Sequence, residues 1–257
     1  MSLQFIIGNS GAGKSGTAYE NIIREASANP DRLYYVIVPE QFTMQTQKTL
    51  VEMHPDGGIL NIDILSFERL AYRVFEEVGG DTRRIMEETG KNMVLQKLVQ
   101  MNQKDLVYLR NQMKKPGYLD EVKSLISEFM QYEIKEEKLD EMIRESEDKT
   151  LLQMKLQDVK VLYQAFREYL SGHFMTAEEV LEVLAKEIQF SEKLKGSVLL
   201  LDGYTGFTPV QLEVLRELLA VCERVSVTVT MDVREQFLAM GKPHELFYMS
   251  HKMIRSH

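Results

Sequence analysis

The chain has 257 residues, 44% of them hydrophobic and 27% charged, with a formal net charge of −8. That length suits one large domain or two ordinary ones of roughly 100–200 residues each. The acidic balance excludes a surface that attracts nucleic acid as a whole, so any DNA contact must come from a local basic patch or a partner chain. No stretch approaches the ~20 apolar residues that span a bilayer, and the opening Met-Ser-Leu-Gln-Phe-Ile-Ile-Gly has no basic region of the kind a signal peptide carries. The single cysteine, Cys222, can form neither an internal disulfide nor a four-cysteine metal site. It reads as a half-buried core thiol at a helix end, and a cytoplasmic protein is the expectation.

Along the chain, residues 3–7 form an apolar strand, and a helix begins near Gly13. Residues 33–38 read as a second strand stopped by Pro39, followed by a helix over 42–51. Residues 59–65 read as a third strand, followed by a helix over 67–78 that Gly79-Gly80 terminates. Strands alternating with helices at this spacing predict right-handed crossovers and a parallel sheet.

The pattern then changes. From 81 to 195 the apolar positions recur at helical spacing, as in Leu95, Leu98 and Val99, in Leu119, Val122, Leu125, Ile126 and Phe129, and from Leu151 to Leu170. Interruptions fall at Pro116-Gly117 and Gly172, and strand-like runs are almost absent. This predicts amphipathic helices packed on one another. Charge runs such as residues 133–138 read as solvated helix faces.

After 196 the first pattern returns: a buried-type strand over 197–201 ending at Asp202, a helix opened by Pro209, and a strand over 225–231. The expected fold class is therefore α/β, a parallel sheet formed by 1–80 and 196–257 and interrupted by an all-helical insertion over 81–195. The chain reads as a piece of something larger.

Residues Gly8, Asn9, Ser10, Gly11, Ala12, Gly13, Lys14 and Ser15 fit G-x-x-x-x-G-K-[ST]. The glycines let backbone N–H groups turn inward around phosphates, Lys14 supplies a cation for the β and γ phosphates, and the Ser15 hydroxyl ligates Mg²⁺. The motif directly follows an apolar strand and opens a helix whose N-terminus faces the same anion. ATP with Mg²⁺ is the expected ligand pair. Turnover needs an acidic residue at the end of a neighbouring buried strand. Asp202 suits that place as a Mg²⁺ residue, while Gly203 stands where many ATPases put glutamate, so no catalytic residue is assigned.

Four segments carry a resemblance: the P-loop with its strand (5–15), Val38-Pro39-Glu40-Gln41-Phe42-Thr43, Ser66-Phe67-Glu68-Arg69-Leu70-Ala71, and residues 201–209 from Leu201-Asp202-Gly203-Tyr204 to Pro209. In order and spacing they resemble the AddB subunits of bacterial AddAB helicase–nucleases, across the whole chain. The resemblance implies a P-loop RecA-like domain of superfamily-one helicase type with a large inserted helical subdomain after its third strand. It also implies an AddA-type helicase/nuclease subunit as heterodimeric partner, DNA as substrate, and a role in processing double-strand breaks for recombinational repair. Family members are several times longer and add a second RecA-like domain and a nuclease domain with an iron–sulfur cluster; the single cysteine places that cluster outside this fragment.

Active superfamily-one motors usually carry an adenine-reading glutamine motif upstream of the P-loop, whereas only seven residues precede Gly8 here, and the usual glutamate after Asp202 is missing. A domain that binds ATP without efficient hydrolysis is therefore expected. DNA contacts are expected in the loops after the second and third strands, at Gln41, Phe42, Thr43, Ser66 and Phe67, where an aromatic ring can stack on a base; Phe67 also reads as a core residue opening a helix. Arg83-Arg84 and Lys114-Lys115 read as solvated surface or phosphate contacts. The segment 229–236 occupies the place where helicases couple nucleotide state to DNA. Two other readings fit the P-loop: a small-molecule kinase with a helical lid, and a non-catalytic scaffold with a vestigial P-loop.

Overall fold

The structure, a computed structural model, describes residues 2–58, 60–79, 83–112, 115, 117–146, 148–171, 174–232, 234 and 247–255. It divides into two units, residues 1–81 with 181–257, and residues 82–180. The first unit opens with β1 (Ser2–Gly8), α1 (Lys14–Ala28), β2 (Tyr34–Ile37), α2 (Thr43–Met53), β3 (Ile62–Leu65) and α3 (Phe67–Val78). In α3 the buried residues are Phe67, Leu70, Ala71 and Val74, the i, i+3, i+4, i+7 stripe of a helix lying on a core. Ser66 caps it by accepting the Arg69 N–H at 3.3 Å. The third strand is shorter than the apolar run that predicts it: pairing begins at Tyr34 opposite Ile62, and Leu60 lies fully exposed before it. Ile59 is outside the described residues.

The second unit contains β4 (Arg84–Ile85), α4 (Glu88–Met101), α5 (Leu109–Gln112), α6 (Tyr118–Gln131), α7 (Glu136–Arg144), α8 (Thr150–Leu170) and β5 (Phe174–Met175). Its core gathers Leu95 and Leu98 of α4, Ile126 and Phe129 of α6, Leu139 of α7, and Leu162 and Phe166 of α8. The Phe129 and Tyr163 rings meet edge to face at 5.7 Å. The short parallel pair of β4 with β5 is an addition to the helical pattern. Two residues per strand are too few to show a period of two in the sequence.

Two features of this unit bear on its stability. The Asp158 carboxylate, 1% exposed, accepts the backbone N–H groups of Val107, Tyr108 and Leu109 at 3.0, 2.7 and 2.6 Å. After α6, Glu133 takes a left-handed φ of 51° while its N–H and that of Ile134 close back onto Met130 and Phe129. That is a helix-terminating turn normally occupied by glycine. Glu133→Gly is expected to stabilise the unit by about 0.5–1 kcal/mol, the left-handed cost of an L-residue less the added chain entropy of glycine. Denaturant unfolding measures this, and an unchanged or lower midpoint would contradict it.

The chain returns through α9 (Ala177–Glu187) to β6 (Val198–Leu201), α10 (Pro209–Val221), β7 (Arg224–Thr230) and α11 (Tyr248–Arg255). Helix α10 starts in a capping box: Thr208 and Gln211 each bond the other's backbone N–H, with Pro209 in the first turn. Cys222 follows α10 and is 1% exposed, more deeply buried than a half-buried thiol; burial pushes its pKa up to about 11. Among the described residues no helix is long and apolar enough to cross a membrane.

Five strands form one sheet in the order β1-β7-β6-β2-β3, every neighbouring pair parallel. Tyr34, Val36, Ile62, Ile64, Val198 and Leu200 line one face, under Ile22 and Ile23 of α1 and Leu50 of α2. From β2 the chain moves outward to β3, whereas from the adjacent β6 it moves the other way to β7. Parallel sheets bind ligands in the crevice outside the carboxyl ends of their strands at such a reversal.

Candidate functional site

Because all five strands run the same way, everything that follows a strand directly falls on one edge. The Gly-rich loop after β1, Pro39 after β2, Ser66 after β3, Asp202 after β6 and Met231 after β7 therefore share the carboxyl edge of the sheet. Backbone bonds tie these segments together: Met231 N–H donates to the Gly8 carbonyl at 3.1 Å, and Asp202 N–H to that of Ile37 at 3.0 Å.

The loop from Asn9 to Gly13 turns back on itself, with the Ala12 N–H bonded to the Asn9 carbonyl at 3.1 Å. Gly13, the residue before α1, has φ 80°, a conformation that an L side chain would strain. Helix α1 begins there without a side-chain cap and with no acidic residue of its own in its first turn, so its first backbone N–H groups are left for an outside acceptor. The Lys14 ammonium lies over the loop, donating to the Asn9 carbonyl at 2.8 Å. Among the described residues that neutral carbonyl is its one hydrogen-bond partner.

Asp202 is 6% exposed. The Ser15 hydroxyl donates to its Oδ1 at 2.9 Å, Thr228 donates to the same oxygen at 2.5 Å, and the Tyr19 phenol donates to Oδ2 at 2.5 Å. The structure thus brings Ser15 and Asp202, 187 positions apart in the chain, into direct contact. Burial, reinforced by the adjacent carboxylate, holds the Tyr19 phenol far above its ordinary pKa, so it remains a donor at any physiological pH. Tyr19 and Thr228 carry no motif. The only sequence signal is that Tyr19 follows Ser15 by four residues and so shares its helix face.

Among the described residues no three His, Cys, Asp or Glu side chains are grouped to hold a metal. An ion at Asp202 would need oxygens from Ser15, water and a ligand's phosphates, which is the coordination Mg²⁺ takes with nucleotides. The uncapped helix start, the Lys14 ammonium over the loop and the Ser15–Asp202 pair fit a magnesium nucleotide.

Gly203 follows with φ 81°, and a Cβ built on it would lie 3.5 Å from Pro39 Cδ and 3.9 Å from the Phe42 ring. Of the residues expected to meet DNA, Gln41 and Phe42 are exposed, Phe42 at 43%. Thr43 is buried and donates to the Glu40 carbonyl, Ser66 is buried as the cap of α3, and Phe67 is 4% exposed. Phe67 packs edge to face on Tyr204 and Phe207, at 5.5 and 6.4 Å, which leaves no ring face open to a base. Glu40 and Arg69, paired at 2.9 Å, join the loop after β2 to α3. Of the four basic residues, Arg83 is half-buried and bonds the Phe174 carbonyl, Lys115 is exposed, and Lys114 lies outside the described residues, as does the side chain of Arg84. In the segment after β7, Arg234 clasps Asp232 at 2.6 Å, and its hydrogen bonds hold that carboxyl down to about 2; Val233, Glu235 and Gln236 lie outside the described residues.

Comparison with known proteins gives the chain a family. Residues 5–256 match the family described as ADDB, N-terminal. The chain belongs to the AddB N-terminal family. Similar proteins include one from Lachnoclostridium phytofermentans, 46% identical over 98% of this chain and 22% of its own length, and one from Alkaliphilus metalliredigens, 34% identical over 98% and 22%. A third, from Clostridium tetani, is 36% identical over 89% of this chain and 20% of its own. All three are named as the B subunit of an ATP-dependent helicase/deoxyribonuclease. This AddB N-terminal chain spans about a fifth of the length of these relatives.

Proposed function

We propose that this AddB N-terminal chain is the ATP-binding, helicase-like region of the AddB component of an ATP-dependent helicase/exonuclease that processes double-strand DNA breaks. Its parallel sheet is a P-loop RecA-like domain formed by 1–80 and 196–257, and residues 81–195 are the inserted helical subdomain. The observation that carries this reading is the contact of the Ser15 hydroxyl with the buried Asp202 carboxylate at 2.9 Å. It joins the end of the P-loop to the end of a neighbouring strand, the two places from which a protein holds Mg²⁺ beside a nucleotide.

In this reading Gly8 to Ser15 hold the phosphates, with Lys14 as their cation and Ser15 and Asp202 as the Mg²⁺ residues. The ion, when bound, neutralises phosphate charge. No carboxylate follows Asp202 to orient water, and the φ of 81° at Gly203 disfavours any L-residue there. Binding without efficient hydrolysis follows. The parent works with a second helicase/nuclease subunit on DNA, and Gln41 and Phe42 are the contacts this chain offers, since Thr43, Ser66 and Phe67 are buried.

The test is ATP binding and phosphate release by this chain, with and without single-stranded DNA and the partner subunit. Saturable binding with negligible turnover by the chain alone is expected. Rapid turnover by the chain alone would contradict the role given to Gly203. Transfer of the γ-phosphate to a metabolite would favour the kinase reading, and absent nucleotide binding the scaffold reading.

A further inference from the structure

The nucleotide reading accounts for Ser15 and Asp202 but leaves two buried hydroxyls on the same carboxylate. Tyr19 and Thr228 are 6% and 4% exposed and come from different elements, α1 and β7. Each bonds a different oxygen of Asp202, the Tyr19 phenol Oδ2 and the Thr228 hydroxyl Oδ1. A carboxylate held through one oxygen can still turn about its own axis. With a donor fixed on each oxygen, both its plane and its direction are set. Ser15 is the only one of the three donors within the P-loop, and a metal ion would claim the oxygen of that hydroxyl. Tyr19 and Thr228 lie outside the loop, so their bonds need not change when the site fills.

We propose that Tyr19 and Thr228 are positioning residues that orient the Asp202 carboxylate toward the divalent cation of a bound nucleotide. This rests on the reading of the P-loop edge as a magnesium–nucleotide site. Groups that orient a metal-binding side chain through hydrogen bonds typically change metal affinity by 10–100-fold when removed. The two hydroxyls therefore act on the cation requirement and leave the direct phosphate contacts of the P-loop untouched.

The experiment is a Mg²⁺ titration of fluorescent ATP-analogue binding to the 257-residue chain, with a parallel titration of the analogue in excess chelator. In Tyr19→Phe and in Thr228→Val the Mg²⁺ concentration for half-maximal binding should rise about tenfold, while affinity in chelator matches the wild type. Thr228→Ser, which keeps the hydroxyl, should restore the wild-type requirement. Thermal melting checks that each variant is folded. Should Tyr19→Phe fail to fold, the comparison of Thr228→Ser with Thr228→Val decides alone. Unchanged Mg²⁺ dependence in folded variants, or a Thr228→Ser that behaves like Thr228→Val, overturns the positioning role and leaves the nucleotide site standing. A wild-type chain that binds no analogue overturns both.

Discussion

Lys14→Ala is expected to weaken ATP binding on the order of 100-fold while leaving the fold intact. Lys14 is half-exposed, and among the described residues the Asn9 carbonyl is the one partner of its ammonium. Removing it leaves no buried group unsatisfied, and surface changes of this kind usually stay within about 0.5 kcal/mol of the parent. In a phosphate site the same ammonium makes charge-assisted hydrogen bonds worth about 1.5–3 kcal/mol each, and about 1.4 kcal/mol is a factor of ten in affinity. Equilibrium binding of a labelled ATP analogue measures the loss, with melting temperature as the control. Equal affinity in the two proteins would mean that the loop does not hold phosphates, and the scaffold reading would replace the nucleotide one.

The second large effect lies in the helical unit. Asp158→Ala should lower stability by about 3–5 kcal/mol, seen as a strong shift of the denaturant midpoint of that unit. Its carboxylate gathers three consecutive backbone N–H groups where the chain enters α5. Leu106 and Leu109, each 2% exposed, border that turn, while Val107 between them is exposed. A buried N–H left without an acceptor costs about 1–3 kcal/mol, and truncation to alanine strands the buried Leu109 N–H fully and the half-buried ones of Val107 and Tyr108 in part. Asp158→Asn keeps one acceptor oxygen and should lose roughly half as much. A loss below about 1 kcal/mol for Asp158→Ala would show that water or a neighbouring group replaces the carboxylate with little penalty.

The sequence makes legible those parts of this chain that depend on near neighbours. The strand–loop–helix of the P-loop, the capped α3 and the Pro209 start of α10 each have their signals within a few residues, and each element forms close to where those signals place it. The end of β3 that fails to pair is an apolar stretch whose extent is decided by where β2 begins, 28 residues earlier by the Tyr34–Ile62 register. The sheet order is illegible for the same reason, since no local signal says that β7 inserts between β1 and β6. Asp158 stands next to Val159 on a helix and its partners lie 49 to 51 positions away, so periodicity gives no hint of its capping role.

The edge itself is legible only in part. Lys14, Ser15 and Asp202 come from residue type and placement after a strand, whereas Tyr19 and Thr228 read as ordinary core and strand residues until the fold sets them against one carboxylate. Phe67 shows the opposite case: an aromatic at a loop exit suits stacking, but Tyr204 and Phe207, more than 130 positions later, close over its ring.

The most direct measurement is a calorimetric titration of the wild-type chain with ATP in the presence of Mg²⁺, repeated in chelator. The account predicts saturable binding at a single site, tighter with Mg²⁺ than without it. Absence of saturable binding at millimolar ATP, with the chain shown to be folded, would contradict it.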